Sequence, residues 1–175
     1  MTNTPAIFLV LIVGFLTFLP ASSYSQFINL QIRVEPELSA TVEQELNFGE
    51  VVTNSGEKIV GLGDFNMGVF NIRGYHTQNI YIQLNYPEAL NHINPAIGES
   101  IPLDLDIAYN NSGRNIAENS DLLPTEQGFV AIHENPELDT EVWQSLYLYV
   151  YGSIFVGNIP NGEYFGEVTL SVSYD

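Results

Sequence analysis

"NGEYFGEVTLSVSYD", residues 161–175, closes the chain on an alternating pattern. Tyr164, Gly166, Val168, Leu170, Val172 and Tyr174 fall on one side. Glu163, Glu167, Thr169, Ser171 and Ser173 fall on the other, with Phe165 as the exception. A period of two is the signature of a β-strand with one face in a core. Burying Val168, Leu170 and Val172 contributes about 1.5–3 kcal/mol each before ordering entropy is subtracted. That sum rivals the net stability of a whole domain. The pattern therefore predicts one strand over 164–174, inside the fold. Gly162 suits a turn after Pro160 and Asn161, and Gly166 suits a bulge or a close approach. The outer edge of such a strand is open to three fates: cover by its own chain, by residues 27–35 of another copy, or by nothing.

The same period runs back through the chain. "FINLQIRVEPEL" (27–38) puts Ile28, Leu30, Ile32 and Val34 on one face, and Pro36 then interrupts pairing. "SATVEQELNFGEVV" (39–52) continues extended, and "EKIVGLGDFNMGVFNIRG" (57–74) holds two strands around Gly61 and Gly63. "QNIYIQLNYP" (78–87) groups Ile80, Ile82, Leu84 and Tyr86, and "IPLDLDIAYN" (101–110) groups Ile101, Leu103, Leu105, Ile107 and Tyr109. "GFVAIH" (128–133) is short, and "WQSLYLYVYGSIFVG" (143–157) sets Leu146, Leu148 and Val150 against Tyr147, Tyr149 and Tyr151. Turn residues separate the runs in "TNSGE", "NNSGRN" and "NIPNGE". No segment has a convincing helical period. The fold class expected is all-β: an antiparallel, Ig-like or pilin-like β-sandwich of roughly eight strands.

The first 25 residues read as an address. "AIFLVLIVGFLTFL" (6–19) is uncharged and shorter than the roughly twenty residues of a membrane span. Ser23 and Ser25 precede a cleavage point before Gln26. Residues 1–25 are expected to be a signal peptide and 26–175 a single domain, with no span left after cleavage. An uncleaved anchor is the competing reading.

Composition narrows the function. Of 175 residues, four are Lys or Arg and 21 are Asp or Glu, a net charge of −17. Such a surface repels phosphate backbones, so nucleic acid is excluded as a partner. There is no cysteine, which removes disulfides, thiolate metal sites and thiol nucleophiles. His76, His92 and His133 lie outside any metal-binding spacing and read as loop or surface residues. Asp104 and Asp106 share a strand face, as paired carboxylates of a glycosidase can, but they also suit the solvated side opposite Leu103, Leu105 and Ile107. The acidic loop 134–141 offers oxygens for calcium without the regular loop spacing. No catalytic, cofactor or metal residue is assigned, and the chain is expected not to be an enzyme.

Tyr147, Tyr149, Tyr151 and Trp143 are the candidate interaction surface. If the leucine face is core, the tyrosines face out and can stack on sugars or meet a protein. The alternative is a central strand covered on both faces. Ile28, Leu30, Ile32 and Val34 are the candidate donor or edge strand, either opening their own sandwich or pairing with a neighbour.

Two motifs carry a family likeness: "LNFGEVV" (46–52) and "LYVYGSIFVGNIPNGEYFGEVTLSVSY" (148–174). Together they resemble a family of secreted bacterial domains (domain of unknown function four-four-zero-two), and the wider set of pilin and spore-coat-U-like β-sandwiches. The resemblance implies an Ig-like fold, no catalysis, and a place in the periplasm, on the surface or outside a Gram-negative cell. The expected function is an exported structural or surface protein, pilus-like or envelope-associated, whose partners are copies of itself or an envelope protein. The alternative is a carbohydrate- or protein-binding module.

Overall fold

The computed structural model describes residues 38–76, 78–132 and 143–175. The leader, the segment 27–35 with Ile28, Leu30, Ile32 and Val34, His133 and the acidic loop 134–141 lie outside the described residues. The described residues all belong to one compact unit, Glu35–Asp175.

Among the described residues, eleven strands form two antiparallel sheets. They are β1 (Ser39–Gln44), β2 (Gly56–Val60), β3 (Gly68–Tyr75), β4 (Asn79–Asn85), β5 (Ala89–His92), β6 (Ser100–Asn110), β7 (Asp121–Leu122), β8 (Gln127–Ala131), β9 (Trp143–Val156), β10 (Tyr164–Phe165) and β11 (Thr169–Tyr174). The large sheet has eight strands in the order β1-β3-β9-β6-β5-β10, with β2 also on β9 and β7 also on β6. The small sheet has three, β11-β4-β8. The expected antiparallel sandwich is what forms, with three very short strands that the pattern did not separate.

Cross-strand register puts the apolar runs on the inner faces. Ile72 of β3 pairs with Leu146 of β9, and Phe70 with Leu148, which also pairs with Tyr109 of β6. Ile72, Leu146 and Leu148 are fully buried. Across from them stand Ile80 and Ile82 of β4, also fully buried, and Val130 of β8. Side chains two apart on a strand share a face, so the alternation in β4 and β6 is what fills this layer.

The two sheets are also latched by a hydrogen bond. The Tyr174 hydroxyl of β11 accepts the Tyr75 backbone N–H of β3 at 2.8 Å. Gly74 makes room for it: a Cβ there would stand 3.2 Å from the Tyr174 oxygen and 3.0 Å from both Ile80 Cδ1 and Ile132 Cδ1.

β9 organises the large sheet because it is long enough to serve several partners. It pairs with β6 on one edge from Leu103 to Asn110. Its other edge is shared, by β3 up to Val150 and by β2 from Gly152. At that handover the backbone of Gly152 has φ 153°, and a Cβ would overlap the carbonyl oxygen of Asp104. Only glycine lets β6 and β9 approach this closely. Gly152→Ala is therefore expected to destabilise the fold by roughly 2 kcal/mol or more, at the upper part of the overpacking range. A drop in urea midpoint without a change in slope would show it; an unchanged midpoint would contradict it.

Candidate functional site

The inner face of the large sheet is wider than the small sheet. Where cover ends, an open groove of about 970 Å³ crosses the strands from Val42 on β1 to Tyr164 on β10. Its floor carries apolar side chains from the strands, Phe70, Leu103 and Val150 among them, while its two loop walls carry Glu45, Glu50, Glu163 and Glu167.

Two loops wall it. On one side, residues 45–51 are held by Asn47, whose N–H donates to the Asn66 carbonyl at 2.9 Å and whose Oδ1 accepts the Gly49 N–H at 2.8 Å. Gly49 takes a left-handed φ of 70°, which turns the chain so that Phe48 tucks inward. On the other side, residues 160–166 are pinned to β5. The Ile93 N–H donates to the Glu163 carbonyl at 2.8 Å, and Tyr164 donates its hydroxyl to the Pro160 carbonyl at 3.0 Å. His92 completes that wall. Its Nδ1 accepts the Asn94 N–H at 2.9 Å, which leaves Nε2 as the donor toward the Asn161 carbonyl at 3.4 Å. Its ring stands edge-on to Tyr164. A Cβ on Gly162 would overlap the imidazole. The expectation of a loop or surface histidine is thus corrected for His92, which is a buried strand residue bracing a turn.

Val168, which lines this opening, stands directly before β11. That strand pairs with β4 alone among the described strands, so its second edge is open there. The burial of its residues matches: Leu170, Val172 and Tyr174 are half-buried, while their partners on β4, Leu84, Ile82 and Ile80, are buried. The strand expected over 164–174 is divided. Tyr164–Phe165 pairs with β5 in the large sheet, and Thr169–Tyr174 pairs with β4 in the small one. The chain changes sheets between them, past Gly166, where a Cβ would meet Pro87 Cγ at 2.9 Å and Leu90 Cδ2 at 3.0 Å.

The tyrosine stripe lies on the outer face of the large sheet, but it is not one open surface. Tyr149 is fully buried there between Val69 and Ala108, so its placement on an interaction surface is corrected. The covering piece is the segment 111–120. Asn110 clamps its start: Nδ2 donates to the Ile116 carbonyl at 2.8 Å, and Oδ1 accepts from the Ser112 N–H at 2.9 Å and hydroxyl at 2.6 Å. The Tyr149 hydroxyl donates to Asn115 Oδ1 at 3.1 Å, and Glu43 holds Asn115 and Asn71 through its two oxygens, at 3.3 and 2.8 Å. Tyr147 and Tyr151 flank this cover, half-buried. Trp143 is also half-buried and sits at the strand's far end, edge-on to Tyr75 with 6.2 Å between ring centres. His76 stacks on Tyr75 with 4.8 Å between ring centres.

Asp104 and Asp106 are both exposed on that outer face, as the solvated reading expects. Among the described residues no three His, Cys, Asp or Glu side chains gather as metal ligands would. No helix among them is long and apolar enough to cross a membrane. The groove was missed in the sequence because its floor residues, such as Phe70, Leu103 and Val150, look like ordinary core; what makes it a groove is that no described strand covers them. Comparison of the chain with protein-family models and with curated proteins finds no match.

Burial pushes the Tyr149 phenol up to about 12, with the nearby acids adding to the effect. Tyr147 and Tyr151 are raised too, first by burial and then by Glu43 and Asp106 respectively. A phenol raised in the folded state keeps its full contribution to stability below the unfolded value of about 10 and loses it as pH climbs through the folded value. Stability is therefore expected to fall between about pH 10 and 12. Tyr149→Phe should flatten part of that fall, measured by urea unfolding across alkaline pH. An equally steep fall in the variant would place the effect elsewhere.

Proposed function

We propose that this chain is an exported, non-enzymatic structural or surface subunit of a Gram-negative cell envelope, pilus-like in that it associates by strand addition. The observation that supports this reading is the groove over the large sheet, whose lining reaches Val168 next to β11, a strand that pairs with β4 alone among the described strands. An added strand gains two things there. Its backbone pairs along β11, and its alternate side chains fill apolar space over the large sheet. β11 invites this because Thr169–Tyr174 carries no charge, no proline and no bulge, the features that ordinarily blunt an edge.

The donor in this proposal is residues 27–35 of a neighbouring copy. That segment sets Ile28, Leu30, Ile32 and Val34 two apart, the spacing needed to enter the groove from one side. The leader-like residues 1–25 and the family likeness of 46–52 and 148–174 agree with export. Both acids of the one carboxylate pair considered for catalysis stand on an exposed strand face rather than in a cleft.

The test is sedimentation of the exported chain, residues 26–175, over a wide concentration range. Mass is expected to rise with concentration. Ile32→Ser should weaken the association at least tenfold, the equivalent of about 1.4 kcal/mol. Deleting residues 26–35 should leave a folded monomer. A monomer at every concentration overturns the proposal, and so does a deletion variant that unfolds, since the segment would then serve its own chain.

A further inference from the structure

The outer face of the small sheet shows a second feature, on the side opposite the groove. Its register brings Ser173, Tyr81 and Phe129 into one row, and Ser171, Gln83 and Gln127 into the next. Thr169 with Asn85 extends one end, and Asn79 the other. No residue of β4, β8 or β11 is charged, and charges resume only beyond the strand ends, as at Glu126 and Asp175. In a chain of net charge −17 this is the wrong place to omit charge for solubility alone, because solvated strand faces are where it normally sits. The large sheet follows that habit with Asp104 and Asp106.

What replaces charge is specific. Phe129 is 62% exposed, and Tyr81 lies beside it with ring centres 5.0 Å apart and planes tilted by 48°. The Tyr81 hydroxyl donates to Gln127 Oε1 at 2.7 Å, which fixes the ring and turns the Gln127 amide N–H groups away from that bond. Gln83, Asn85, Thr169, Ser171 and Ser173 are exposed around the pair. At about 3.4 Å per residue and 4.8 Å between strands, the face measures roughly 20 by 10 Å.

We propose that this face binds a neutral polysaccharide chain. A pyranose has one apolar C–H face and a rim of hydroxyls. Phe129 and Tyr81 match the first, and amides and hydroxyls, each both donor and acceptor, match the second. A charge-free platform costs a neutral sugar no desolvation of ions, whereas an anionic polymer is repelled by the rest of the molecule. A protein partner is less well matched, since the rows around the aromatic pair are polar throughout and an interface centre is apolar. The site is separate from the β11 edge and does not rest on the strand-addition reading.

Affinity electrophoresis of the exported chain through gels holding a soluble β-glucan, a galactomannan or dextran tests it, with polygalacturonate as the anionic comparison. At least one neutral polymer is expected to retard the protein. Phe129→Ala should reduce that affinity at least tenfold and Gln83→Ala severalfold, with circular dichroism unchanged, while Phe155→Ala on the large sheet leaves it intact. Retardation by none of the three, retardation by polygalacturonate alone, or full binding by Phe129→Ala would falsify the proposal. Loss of self-association in Phe129→Ala without polysaccharide binding assigns the face to a protein partner and overturns it as well.

Discussion

An apolar sheet face must be covered, and among the described residues an eight-stranded sheet is faced by a three-stranded one. The mismatch shapes most of what is unusual in the molecule. Directly under the small sheet, Ile72, Leu146 and Leu148 meet Ile80 and Ile82 with no exposure on either side. Beyond that overlap, the same inner face becomes the floor of the groove. β11 stands at the boundary, so its inward residues are half-buried while those of β4 are buried. The hydrogen bond from Tyr75 N–H to the Tyr174 hydroxyl, 2.8 Å, keeps the small sheet anchored at one end of the large one. The uncovered part lies across the face rather than being shared evenly along it.

The outer face of the large sheet solves the covering problem differently. Among the described residues it is not met by another sheet. A short segment, 111–120, is tied down by Asn110, Asn115 and Glu43 over the middle of β9. That is why β9 is buried on both sides at Tyr149 and why its sequence carries large apolar or aromatic residues without a break from Leu146 to Tyr151. Away from the segment the face opens, and the acids Asp104 and Asp106 sit there in solvent. A tyrosine suits this position because its ring fills the layer and its hydroxyl reaches the polar tie at Asn115.

Much of the fold was legible because a two-residue period identifies a half-buried strand without knowledge of its partners. Ile80, Ile82 and Leu84, and Ile101, Leu105 and Ile107, all lie on the side the pattern assigns them. What the pattern does not encode is which sheet a strand joins. From Tyr164 to Tyr174 the alternation has one exception, Phe165, and no gap, yet the chain leaves the large sheet after Phe165 and enters the small one at Thr169. Gly166 marked the spot, as the residue that lets the chain pass Pro87 and Leu90, but a glycine in a strand signals a bulge as readily as a crossing. The same limit explains Tyr149: periodicity separates two faces of β9 and says nothing about a distant loop laid over one of them. His92 was misplaced for a related reason, since the turn it braces is 69 residues further along the chain.

The candidate sites therefore arise from arrangement more than from residue type. The groove sets a floor of common apolar side chains between loops that carry glutamates, and the small sheet's outer face consists of common polar ones. The meaning of that outer face comes from the absence of charge. Acids elsewhere on the chain keep surfaces apart by repulsion, and every strand of the small sheet is free of charge on both faces. Its edge at β11 and its face at Tyr81 and Phe129 point in perpendicular directions, because backbone hydrogen bonds lie in the plane of a sheet and side chains stand out of it. A strand added at the edge would widen the small sheet without covering its outer face. Association and ligand binding can therefore occupy the same three strands at once, and lengthening the sheet extends the platform on which the aromatic pair sits.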